Sequence, residues 1–159
     1  MISNKKAIEY KFFDFRVEID ETATRAWYAG AEEWGCDCGD CINFVAAARE
    51  RVFPAPILEL LDGLGIPPEK ATYVCSTHPE GDGLHYCFSY RIAGRILEGN
   101  EHILTSLDWG ECGCTHDPYP YGAPGFPEPH FDLEFWAVLP WVVDDSLRGE
   151  PIVEGESRP

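Results

Sequence analysis

Apolar and charged side chains alternate without a break along Phe13-Asp14-Phe15-Arg16-Val17-Glu18-Ile19-Asp20. A period of two puts Phe13, Phe15, Val17 and Ile19 on one side of a strand and the charges on the other, so one face is buried and one is wet. At Asp20 the period changes. Ala23, Ala26, Trp27, Gly30, Ala31 and Trp34 recur at helical spacing, with Asp20 or Thr22 as N-cap and an end near Gly35. A second helical face follows at Cys41, Val45, Ala48 and Val52, and Pro54 closes it. Pro56–Leu61 predicts a third, short helix with proline in its first turn, stopped by Gly63 and Gly65.

The second half is patterned for strands. Ala71–Thr77 is one candidate, and Pro79-Glu80-Gly81-Asp82-Gly83 has the glycine and acid of a hairpin turn. The next strand sets Leu84, Tyr86, Phe88, Tyr90 and Ile92 on one face and His85, Cys87, Ser89 and Arg91 on the other, with Gly94 as a bend. A further strand falls near His102–Leu107. Asp108–Pro129, rich in proline and glycine, predicts a long loop, and Phe131–Leu139 alternates again until Pro140. Strand, three helices, then antiparallel strands predict an α+β fold: one mainly antiparallel sheet with its helices on one face. Residues 1–143 form the expected single domain, and 144–159 a polar, flexible tail.

Composition supports a packed core: 45% of the 159 residues are apolar and 13% aromatic. Charge narrows the partners. Twelve basic against 28 acidic residues give a net charge of -16, and Lys5-Lys6 is the one adjacent basic pair, which argues against nucleic acid and anionic membrane surfaces. No stretch is long and apolar enough for a span, and the opening residues lack the apolar core of a secretion signal. The expectation is a cytoplasmic protein, whose seven cysteines would stay reduced, bind metal or do redox work.

The chemistry concentrates at Cys36-Asp37-Cys38-Gly39-Asp40-Cys41, between two predicted helices. Gly39 would let the backbone turn tightly, and a helix start near Cys41 would favour its thiolate. Structural zinc takes four tetrahedral ligands, and three cysteines leave one missing. Cys112, Cys114 and His116 on the long loop are the foremost candidates for it, alongside His78, His85 and His102. Three readings of the turn stay open: zinc, plain reduced thiols, or a redox pair of Cys38 with Cys41. Cys75 and Cys87 are expected as buried space-fillers on strands. The acids Asp132 and Glu134 are expected on an outward face. The aromatics Trp109, Tyr119, Tyr121 and Phe126 would make the long loop a contact surface. No phosphate loop, zinc-protease or nucleophile-elbow pattern is present.

The run Trp34-Gly-Cys-Asp-Cys-Gly-Asp-Cys-Ile-Asn-Phe44, together with Leu60–Lys70 and Leu139-Pro140-Trp141, resembles a family of small uncharacterised bacterial proteins. That resemblance implies a bacterial cytosolic origin and carries no catalytic residue with it. The leading expectation is a non-enzymatic binding or adaptor domain, acting on a protein or small ligand and stabilised by zinc at the cysteine turn. The alternatives are a thiol-dependent redox protein or enzyme using Cys38 and Cys41, and an acidic immunity- or inhibitor-type protein that binds a basic partner.

Overall fold

The computed structural model of the chain describes residues 7–117 and 122–148. Seven strands form one antiparallel sheet: β1 Ile8–Phe12, β2 Phe15–Ile19, β3 Tyr73–Glu80, β4 Gly83–Glu98, β5 Thr105–Leu107, β6 Gly110–Thr115 and β7 His130–Pro140. Their order is β1-β2-β4-β7-β6-β5, with β3 also paired to β4. Three helices, α1 Glu21–Gly30, α2 Gly39–Arg49 and α3 Ala55–Leu64, precede most of the sheet in sequence. The fold is the α+β arrangement the hydrophobic pattern predicts. Among the described residues no helix is long and apolar enough to cross a membrane.

Strand β4 organises the molecule. Its first half lies between β3 and β7, with Phe88 opposite Val74 on one edge and Phe135 on the other. Beyond Gly94 it pairs with β2 instead. The face carrying Tyr86, Phe88 and Tyr90 receives α2, where Phe44 packs 5.1 Å from the Phe88 ring and 5.7 Å from Tyr86. Phe53, Ile57, Leu61 and Leu64 extend this core beneath α3. The buried face of α2 is Cys41, Asn43, Phe44, Ala47 and Ala48. Val45 is half-buried, so the buried face is turned from the expected stripe toward Phe44 and Ala47, and Val52, expected on this helix, lies beyond its end at Arg49 and is exposed.

Several boundaries differ from the sequence pattern for physical reasons. The alternation through Phe13 conceals a hairpin: Phe13 takes a left-handed φ of 57°, and Phe12 pairs with Phe15 across a two-residue turn. Such a turn shifts parity, the even residues Ile8, Tyr10 and Phe12 of β1 facing the odd residues Ile19, Val17 and Phe15 of β2, and Phe13, in the turn, only extends the alternation of β2 by its position in sequence. Helix α1 ends at Gly30 rather than Gly35, leaving residues 31–38 as a connection to α2; Asp20 is its N-cap, as expected, accepting from Ala23 N at 3.0 Å. The expected long loop contains β6, whose glycines and cysteines carry little apolar signal. Its aromatics are committed to packing: Trp109 against Phe13 and Phe135, Phe126 against Trp27 and Tyr28. Tyr119 and Tyr121 lie outside the described residues, as does the expected tail from 149 onward. Residues 145–147 form a short 3-10 turn capped by Asp144.

The second face of the sheet is less wet than expected. Cys87, Ser89, Arg91 and Asp132 are buried there, and Arg91 Nε donates to Asp132 Oδ1 at 2.9 Å. Asp132, expected at the surface, is fully buried, and Glu134 is half-buried. Burial raises the Glu134 carboxyl above the ordinary carboxylate value.

Candidate metal centre

The cysteine turn is held from several sides. Trp34 N donates to Glu69 O at 3.0 Å, and Ile42 N donates to Cys38 O at 2.9 Å as α2 begins. Cys38 is the N-cap residue, extended at φ -71° and ψ 159°. Tyr86 donates to Asp40 O at 2.6 Å. Gly39 serves a purpose different from the expected tight turn. A Cβ at this position would overlap the Leu147 carbonyl oxygen, so glycine lets residues 145–147 lie directly across the helix start.

Asn43, a residue invisible to a hydrophobic pattern, ties these parts together. It is fully buried; its amide donates to Tyr86 Oη and Pro140 O, both at 3.1 Å, and its carbonyl accepts from Val142 N at 2.7 Å. One side chain thereby joins α2, β4 and the end of β7, two residues from Cys41.

On this frame the Sγ atoms of Cys36, Cys38 and Cys41 lie within 4.8 Å of one another. Zinc–thiolate bonds of about 2.3 Å in a tetrahedral arrangement place sulfurs about 3.8 Å apart, so the three are close enough together to hold a metal ion. Cys36 and Cys38 are exposed and Cys41 is buried. Cys36 accepts hydrogen bonds from the Cys38 N–H and from the Cys41 and Cys38 thiols, which lower its pKa from the ordinary thiol value. Cys41 behaves oppositely to the expectation from the helix start. Burial pushes its pKa well above the usual range, with Trp34 Nε1–H, 3.2 Å from the sulfur, opposing in part. Desolvation outweighs the helix end here.

The expected fourth ligands lie elsewhere. Cys112 and Cys114 sit on β6 opposite Phe135 and Leu133, both buried in the core. Burial pushes Cys112 up to about 12 and Cys114 higher still. They are apolar fillers, formed by a strand where a loop was expected. His116 is committed as well. Its Nε2 accepts from Ile96 N at 3.1 Å, and its Nδ1 lies 3.0 Å from Glu101 Oε2. His78 and His85 stack 4.8 Å apart on the β3–β4 hairpin. The described residues include all seven cysteines and all five histidines, and none of the others joins the three sulfurs.

Beside the turn lies an open cleft of about 730 Å³, lined by Trp27, Glu32, Trp34, Lys70 and Pro124 among others. Trp34 belongs to both features, walling the cleft and meeting Cys41. No protein-family model, curated protein or solved structure matches the chain.

Proposed function

We propose that this is a non-enzymatic binding domain whose Cys36-Cys38-Cys41 turn holds a thiophilic metal ion, zinc foremost. The observation that carries the reading is the convergence of three sulfurs on one point of a braced turn. Three thiolates supply three positions of a tetrahedron, and the fourth falls to water or to a ligand brought from outside. That arrangement resembles an exchangeable site more than a closed structural one. The fold has its own apolar core, so the metal would brace the cysteine turn rather than drive folding. The cleft walled by Trp34 is the place where a small ligand would meet the domain.

Elemental analysis of protein purified without chelator tests this, with Cys38→Ser as control. About one equivalent of zinc is expected in the wild type and little in the variant. Less than about one-tenth of an equivalent in both overturns the reading. The hydrogen bonds received by Cys36 favour a second reading, a reactive thiol at this turn. It requires the opposite result in the same preparation: no metal, and alkylation at Cys36 faster than in a model peptide.

A further inference from the structure

Cys75 and Cys87, both expected as buried fillers, face each other directly. They are register partners on β3 and β4, in a ladder that runs regularly from Tyr73↔Ser89 to Ser76↔Tyr86 and shifts only beyond Ser76. Directly opposed residues of antiparallel strands share a face, with Cα atoms about 4.5–5.5 Å apart. A disulfide spans Cα separations of about 4.4–6.8 Å, so this backbone already meets its main requirement.

The surroundings point the same way. Cys75 is exposed, contrary to its expected burial, whereas Cys87 is 3% exposed at the floor of the same face. Among the described residues β3 pairs with β4 alone, so Cys75 stands on an open sheet edge. Cys75 Sγ donates to Ser76 O at 3.4 Å, and Cys75 and Cys87 both contribute to raising the Tyr73 phenol above its ordinary value, after burial.

We propose that Cys75 and Cys87 form a two-electron thiol–disulfide couple, oxidised by low-molecular-weight disulfides. The Cys75 thiolate attacks one sulfur of the external disulfide, forming a mixed disulfide and expelling the other half as a thiolate, which takes up the Cys75 proton. The Cys87 thiolate then attacks the Cys75 sulfur. The second half leaves as a thiolate and takes up the Cys87 proton, and the Cys75–Cys87 disulfide remains. Two protein thiols are oxidised and one external disulfide is reduced to two thiols. The division of labour follows from exposure: the open thiol meets the reagent and the buried one resolves the adduct. The couple does not depend on metal at the Cys36 turn.

The test treats the reduced full-length chain with glutathione disulfide, quenches with an alkylating reagent and maps non-reduced peptides by mass spectrometry. The wild type should yield the Cys75–Cys87 crosslink with no lasting adduct at either residue. Cys87→Ser should accumulate glutathione at Cys75, and Cys75→Ser, altered at an exposed position the fold tolerates, should yield neither crosslink nor adduct at Cys87. A lasting adduct on wild-type Cys75, no reaction there at all, or crosslinks confined to residues 36–41 would overturn the proposal.

Discussion

Asn43 is the residue on which the geometry of the cysteine turn depends most. Its amide satisfies polar groups on β4 and at the end of β7, of which the Tyr86 hydroxyl is shut away from water and the Pro140 carbonyl partly so. Removing one member of such a set leaves the others buried and unpaired, at about 1–3 kcal/mol per stranded group. Asn43→Ala should therefore cost about 2–4 kcal/mol, read as a lower urea midpoint at unchanged slope. Asn43→Asp should not restore stability: a carboxylate still accepts from Val142 N but cannot donate to Tyr86 or Pro140, and it meets the Pro140 carbonyl with like charge. An alanine variant as stable as the parent would show that the network contributes nothing net. The sequence displayed the three cysteines because they stand two and three residues apart. It could not display Asn43, because a buried amide declares itself only through partners 43 and 97 positions away.

At the scale of elements, legibility followed periodicity. Strands β4 and β7, with long strict alternation, and α3, with proline at its start and Gly65 in the left-handed region at its end, are where the pattern placed them. Strand β6 was hidden because Cys112 and Cys114, its inward residues, look like ligands when considered apart from the sheet. Only the pairing with β7 reveals them as core. Gly94 was legible as a bend, and the structure adds the reason. It has φ +144°, and a Cβ there would overlap the Glu18 backbone where β4 passes from its pairing with β7 to β2. Gly94→Ala combines a disfavoured backbone with a clash between two main chains, neither of which can move aside cheaply. The expected loss is about 3–5 kcal/mol. Hydrogen exchange should locate it, with protection falling in β1, β2 and the last residues of β4 before β7 is affected. Uniform loss across the sheet, or none, would contradict the assignment of Gly94 as the junction.

At the scale of the whole molecule, the chain carries a net charge of -16 while burying several groups that must stay protonated. Burial lifts Cys112 to about 12 and Cys114 further from an unfolded thiol value of 9.0. The sign follows from proton counting. Above pH 9.0 the unfolded chain has released these protons and the folded chain still holds them, so the unfolded state binds fewer and stability falls as pH rises. The loss begins near 9 and, for Cys112, continues until the folded value near 12 is reached. Each such thiol contributes up to about 1.4 kcal/mol per pH unit in that window. Tyr28 and Tyr90, fully buried and also raised by burial, steepen the fall once tyrosines begin to ionise in the unfolded chain. Urea unfolding of metal-free protein at a series of pH values should trace this decline, and Cys112→Ala should flatten its first part. Self-repulsion among the surplus carboxylates lowers stability too, but those charges are exposed and salt screens them, whereas proton release from a buried thiol is not screened. High-salt measurements thus separate the two: a decline above pH 9 that survives salt belongs to the core, and one that salt abolishes would assign the alkaline limit to surface charge instead.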